Sequence, residues 1–586
     1  MRRLRRRLRA EAGPLALTAT LVLLTWILTY RMFSLAALTH PIEYYGDGNL
    51  QLGFVKASSD RGWGSLTGAE DPWIGAPGAA RWTDFPLSED GVYLGLGFLS
   101  RLTGVTAALN LGFVCAGMLS AVVMYLVARR LRISPPLASL AGALFGAAPY
   151  FFYRNIPHFN LIIYWHLPLC LLAITWAFSR RGLRVGERRF WLACAFAAVC
   201  GVHCNYYTNY VMQVLLLAVV LQALRRNWAA ARATVVIMVA GMFTLVLANL
   251  DTAMVIARFG PNPGAVARSA GDTLIYALRP LELLVPSYLH RLAPLAHLGA
   301  RYQASAPVHG EFPSNFLGVV PAIGFIAMLL AGFRAALGTA PRGAASRFLV
   351  VALWLMFVSI GGGLMQLAQM VLSVVAFRSN NRVSILLLGL GVLFLGRALS
   401  PALRRLPASV GWGLTLPVII FGLWEQSPDL SKKLVYGNGL NHWQMRERWA
   451  KAQDADERFV AELERELPVG AAVLQLPPFA FPENGPVGPI YDYEHFRLYA
   501  FSNQKLRWSY GAMKGRPGGS FQHEVSQLPP QQMAARLRES GFGAVVFSNQ
   551  VYAPGTAESF AQQLAGGARV LRAENGDWSA VLLPAP

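Results

Sequence analysis

The first residue in this chain with the means to do chemistry is Asp47, set between two glycines in YYGDGNLQ. Flanking glycines let a backbone bend and approach a ligand closely. A carboxylate placed there can act as a general base on an acceptor hydroxyl. An ordinary Asp-Gly turn explains the pair equally well. Further along, EDPWIGAPGAARWTDFPLSED carries Asp71 and Asp84, which could join Asp47 around a divalent cation such as Mg²⁺ or Mn²⁺, since hard cations take carboxylate oxygens. Solvated loop carboxylates are the plainer reading of those two.

Two other stretches bring basic residues. PYFFYRNIPHFNLIIYWHLPL contains Arg154 and His158 at the edge of an apolar segment, with His166 two helical turns beyond His158. Polar groups at such depth are costly in lipid and usually face a cavity. FRSNNRVSILL places Arg378 and Arg382 four residues apart, on one helical face. Arginine forks suit phosphate oxygens, and a lipid phosphate at the bilayer surface would fit them. Snorkelling to ordinary headgroups is the alternative.

These residues must be positioned by membrane helices. The chain has 586 residues, 54% hydrophobic and only 14% charged, whereas soluble domains carry nearer a quarter charged residues. Abundant aromatic and branched side chains exclude disorder. About 20 apolar residues span a bilayer as a helix. Eleven stretches approach this, near 14–37, 105–128, 136–152, 159–178, 190–204, 209–224, 233–256, 316–333, 348–374, 383–399 and 408–424. The first is too long for a signal peptide and lacks a small-residue cleavage site, so it reads as a retained helix.

Charge then sets orientation. MRRLRRRLR opens the chain, and Arg129/Arg130/Arg132, Arg180 to Arg189, Arg225/Arg226/Arg232, Arg334/Arg342/Arg347 and Arg397/Arg404/Arg405 follow every second span. All these clusters fall on one side, the cytoplasmic one by the positive-inside rule. The net charge of +21 is thus mostly a topology signal and gives no support to nucleic-acid binding. The five cysteines lie in or beside apolar stretches without zinc spacing, and read as small core residues.

The expected architecture is therefore mainly α. A basic N-terminus (1–13) precedes a polytopic helical bundle (14–424) with long external loops at 38–104 and 257–315. A soluble α/β domain follows at 425–586. In that tail DERFVAELERELP and QQMAARLRESG read as helices, AAVLQLP and GAVVFSN as strands, and RVLRAENGDWSAVLLP as a hairpin. YDYEHFRLYAFSNQKLRWSYGAMKGR suits either a sugar or anion site or a core strand. The Ala-, Arg-, Gly- and Pro-rich composition points to a bacterial inner membrane, with the tail in the periplasm. Elaborated surface on one side marks the side where the protein works.

One span followed by a long external loop that opens with an aspartate resembles the GT-C class of integral-membrane glycosyltransferases. The class includes oligosaccharyltransferases, protein O-mannosyltransferases and lipid A aminoarabinose transferases. WIGAPGAARWTDFP, PYFFYRNIPHFNL, LLVPSYLHRLAP and FRSNNRVSI also resemble, in order, the LGAPxG…DFP, PYHxxRxxxHxxL, PSxxHP and FRxxxR segments of bacterial multispanning proteins placed in that superfamily. The resemblance implies sugar transfer from a polyprenyl-phosphate-linked donor to a glycan, glycolipid or protein acceptor. It implies Asp47 as the catalytic carboxylate, with either Asp71 or Asp84 as a second acid. Arg154, His158, Arg378 and Arg382 would then bind substrate. A WWDYG motif is missing, so transfer to asparagine is not supported. A lipid-linked glycan flippase would want inverted repeats and polar residues deep in the spans, and no repeat is visible. A non-catalytic scaffold for envelope assembly is the third reading.

Overall fold

The computed structural model describes residues 2–85, 89–266, 268–308, 310–339, 343–372, 377–434, 439–564 and 567–584. Among these, seven helices are long and apolar enough to cross a membrane: Glu11–Tyr30, Val105–Arg130, Asn205–Leu224, Trp228–Ala248, Val319–Ala336, Asn380–Leu403 and Ala408–Gln426. The other four expected spans fall on shorter or broken helices, so a count of eleven is not established. The stretch at 136–152 divides into Pro135–Gly146 and Pro149–Arg154. The next divides into Phe159–Ile162 and Leu167–Ala177. Arg188–Gly201 has 14 residues. The stretch at 348–374 breaks between Ala344–Ser359 and Leu364–Leu372. The breaks lie where Pro149, Pro168 and Gly361 to Gly363 stand in the sequence, residues that start or stop helices.

Small residues let the helices approach closely. A Cβ on Gly146 would stand 2.5 Å from the Gly117 carbonyl oxygen, and one on Gly142 would stand 2.6 Å from that of Ala121. Backbone packs on backbone there, as small residues permit between membrane helices.

The tail begins with the helix His442–Glu466, closed at its start by a reciprocal cap between Asn441 and Gln444. Its sheet comprises β1 (Ala472–Leu476), β2 (Arg507–Trp508), β3 (Phe542–Ser548), β4 (Val570–Arg572) and β5 (Trp578–Leu582), in the order β2-β1-β3-β5-β4. β1 runs parallel to both neighbours, whereas β5 runs antiparallel to both of its neighbours, β3 and β4. The two helices, two strands and hairpin expected in the tail are all found, with Gly576 at positive φ in the hairpin turn. The ambiguous 491–516 stretch is largely interior: the short helix Phe496–Ala500 and β2.

The first long loop, 38–104, is built into this tail. Ile74 bridges Trp508 in parallel, the Trp508 amide donates to the Trp73 carbonyl at 2.8 Å, and the Ala76 amide donates back to the Trp508 carbonyl at 3.0 Å. Residues 73–76 thereby extend the sheet at β2 and cover its edge. Deeper in the seam, Arg497 donates to Asp456 at 2.8 and 3.1 Å, to Glu494 at 2.7 Å and to Asp577 at 2.8 Å. From the loop, Tyr44 donates its hydroxyl to Asp456 at 2.7 Å, and Asn49 its amide to Glu494 at 2.9 Å. One guanidinium thus ties the loop, the first tail helix and the sheet.

Arg497→Ala should leave Asp456 and Glu494 buried without a cation, at a cost of about 3–5 kcal/mol. The expected result is protease cleavage in the loop–tail seam at temperatures where the wild type resists. Arg497→Lys should fall between the two.

Candidate active site

Gly46 sits at φ +51°, a conformation costly for a side chain, and turns the loop into the helix Asp47–Arg61. Asp47 is the first residue of that helix, and its side chain reaches solvent within a protein-walled pocket of about 290 Å³. Tyr45, Pro157, Pro486, Tyr491 and Asp492 line the same pocket. Burial, then the charges of Asp492 and Glu483, push the Asp47 carboxyl up to about 6, against the lowering pull of Arg378 and Arg382. The carboxyl is therefore poised near neutrality, where a general base works best.

The arginines come from distant segments. Arg154 ends the helix Pro149–Arg154 and is buried. Arg382 lies in the 3₁₀ turn Asn380–Val383. Glu311 joins them: its Oε2 accepts from Arg154 at 2.6 Å and its Oε1 from Arg382 at 2.6 Å. Burial alone would raise the Glu311 carboxyl, but the two arginines outweigh it and hold the group well below the usual range. Arg382 also lies over the Tyr206 ring at 4.4 Å, and Arg154 over Tyr150 at 5.1 Å. Arg378 differs. It stacks on Tyr276 at 5.1 Å, and among the described residues no carboxylate pairs with it.

His158 follows Arg154, and its amide donates to the Arg154 carbonyl at 3.3 Å. Burial first, then the charges of Arg154 and Arg382, lower its imidazole to about 3. It is neutral at working pH, suited to hydrogen bonding rather than to charge pairing. His166 is separate, with its ring 4.4 Å from that of His203.

The structure thus gathers Asp47, Arg154, His158, Arg378 and Arg382 in one neighbourhood. It does not gather Asp71 and Asp84 with them. Asp71 is buried in the loop–tail seam, accepting from Tyr499 at 2.9 Å and from the Trp73 amide at 3.0 Å. Burial and the nearby Asp60 raise its carboxyl to about 6. Asp84 pairs with Arg516 at 2.6 Å and accepts from Asn262 at 3.2 Å. Among the described residues no three acidic, histidine or cysteine side chains gather as a cation site. The acid that does share the pocket with Asp47 is Asp492, whose Oδ1 is buried without a partner. Glu311, Asp492 and Glu483 were not singled out by the sequence. Lone acids in loops carry no spacing signal.

A larger cleft adjoins. It measures about 810 Å³, shares Tyr45 and Tyr491 with the Asp47 pocket, and is lined also by Glu43, Tyr153, Asn155 and Trp449. Tyr45 and Tyr491 are 43% and 53% exposed; they pack edge-on at 6.2 Å, and Tyr45 stacks on Trp449 at 5.7 Å, so partly exposed aromatic rings mark the junction. Asn155 is held at φ +47° and donates to Glu43 at 2.8 Å, while the other Glu43 oxygen is buried without a partner. Such a strained residue persists only where its surroundings hold it.

No family model matches this chain, and neither does any curated protein. Among solved structures it is similar to the oligosaccharyltransferase of Archaeoglobus fulgidus. Against the apo form the identity is 11% and the TM-score 0.42, covering 98% of this chain and 74% of that one. Against the complex with zinc and sulfate the values are 11%, 0.41, 97% and 73%. Against the form tethered to an acceptor peptide containing the NVT sequon they are 12%, 0.42, 98% and 74%. Scores at this level assign no chemistry to the site, which rests on the residues described above.

Glu43 supplies a pH test. Burial, opposed by the Asn155 hydrogen bond and aided by the Asp47 charge, raises its carboxyl from 4.5 to about 7. A raised carboxyl binds its proton more tightly in the folded protein, so the stability it contributes is lost as pH rises through that window. Glu43→Gln should melt close to the wild type at about pH 5 and above it at about pH 8. Thermal unfolding of the two proteins across pH checks this, and a gap that does not change with pH would refute it.

Proposed function

We propose that this protein is an inverting membrane glycosyltransferase. It moves a sugar from a polyprenyl-phosphate donor to an acceptor hydroxyl at the periplasmic face of a bacterial inner membrane. The observation that carries the reading is charge of opposite sign in one neighbourhood. The Asp47 carboxyl, raised to about 6, feels the charge of a guanidinium, Arg378, that among the described residues has no carboxylate partner.

The roles follow from charge. Arg378 holds the donor phosphate in a charge-assisted contact. Arg382 and Arg154, fixed by Glu311, keep positive potential behind it, and His158 offers a neutral hydrogen-bonding edge. The acceptor hydroxyl loses its proton to Asp47 as its oxygen bonds to the anomeric carbon. The bond from that carbon to the phosphate oxygen breaks, and the electron pair leaves with the phosphate. Arg378 stabilises that growing charge. The acceptor lies in the aromatic cleft and reaches Asp47 past Tyr45 and Tyr491, whose faces suit sugar rings. Asp71 and Asp84 act at a distance, by docking the first loop on the tail.

In membranes supplied with labelled polyprenyl-phosphate sugars, Asp47→Asn should lower transfer by about 10²–10⁴-fold with expression unchanged. Near-normal turnover would remove the base assignment. Wild-type kcat/KM should rise with pH through about 6, as Asp47 ionises. Arg378→Ala should lower transfer on the order of 10²-fold and weaken donor binding. Unchanged donor affinity would remove the phosphate role.

A further inference from the structure

A second concave site lies at the other end of the bundle and belongs to none of the roles above. Five arginines line it: Arg130, Arg132, Arg189, Arg347 and Arg397. They come from four separate basic segments of the chain, which folding brings to one pocket of about 300 Å³. Arg382 and Arg397 lie on the same span, Asn380–Leu403, 15 residues or about 22 Å apart along its axis. The pocket is thus across the bundle from Asp47.

Three observations set this pocket apart from scattered surface arginines. No aspartate or glutamate lines it, and among the described residues none of its five arginines has a carboxylate partner. Its floor is apolar, made by Leu171, Ile174, Phe348 and Leu390 between the helices. Its arginines are partly fixed: the Arg397 guanidinium donates to the Leu131 carbonyl at 3.0 Å, Arg130 lies 5.9 Å from the Trp176 ring, and Arg347 is half-buried. Topology alone asks for cations on this side of a membrane protein, but not for their convergence over an apolar floor. Guanidinium forks grip phosphate oxygens in pairs, and an apolar floor between helices takes a hydrocarbon chain.

We propose that this pocket is a binding site for a phosphate-bearing lipid headgroup from the leaflet on the arginine-rich side. The headgroup phosphate sits among the five guanidiniums, and the upper part of an acyl chain lies along Leu171 and Phe348. The bound lipid supplies the counter-charge that the protein does not, and clamps helices that otherwise repel at this end.

The test uses the full chain purified in neutral detergent and stripped of lipid. Native mass spectrometry and thermal unfolding are followed on adding phosphatidylglycerol, phosphatidylcholine or inorganic phosphate. The expected result is retention of phosphatidylglycerol in preference to phosphatidylcholine, with a rise in melting temperature that millimolar phosphate does not reproduce. Arg347→Gln with Arg397→Gln should weaken that retention on the order of tenfold, by the loss of two cations near the headgroup. Arg226→Gln, a basic residue outside the pocket, should leave it unchanged. Equal retention of the two lipids would overturn the proposal, as would equal loss in the Arg226 variant. Protection by inorganic phosphate alone would overturn the lipid assignment. The wild-type comparison decides these points even where the double variant fails to fold.

Discussion

The carboxylate of Glu311 between two guanidiniums is the interaction on which the proposed site depends. A buried arginine pair without an anion would repel and would draw in water. With Glu311 between them, Arg154 and Arg382 become a fixed unit at the junction of three chain segments. Ion pairs so deep are poor sources of stability, because desolvation offsets most of the attraction. Their value here is geometric. They place a 3₁₀ turn and a helix end at a set separation, and they leave one positive charge in excess.

That excess explains the division between the two FRxxxR arginines. Arg382 gives its hydrogen bonds to Glu311, whereas Arg378 lies over the face of Tyr276 and, among the described residues, has no carboxylate partner. One arginine builds the wall and the other is available to a ligand. Near them, Asp47, Asp492 and Glu483 concentrate negative charge; burial first, and then the charges of the other two acids, raise the Asp47 carboxyl to about 6. The cations of this neighbourhood come from the helical bundle, and its acids from the first loop and the tail.

Much of this was legible in the sequence, and the divide is physical. Asp47 could be found because its glycine flanks are local, and the structure uses Gly46 in the turn that the pattern implied. Arg154, His158, Arg378 and Arg382 could be found because polar groups at the edge of apolar runs need a reason. The tail strands and helices were legible from periodicity. Glu311 was not, because its partners stand 157 and 71 residues away, and a single glutamate in a loop has no pattern to betray it. Asp71 and Asp84 show the converse: free and paired acids look identical until Tyr499 and Arg516 arrive from the tail. The count of eleven spans is not established, because averaged hydropathy passes over breaks at single prolines and glycines.

The docking of residues 73–76 on the β2 edge has a consequence for how the chain is made. Arg507 donates to the Pro72 carbonyl across a separation of 435 residues. At ordinary translation speeds of about 5–20 residues per second, that separation amounts to roughly 20–90 s. Throughout that interval the strand-forming segment and apolar residues of the first loop lack their partners. Completion of this fold is therefore gated by the last quarter of synthesis. The nascent protein presents an unsatisfied strand edge until its C-terminal part emerges.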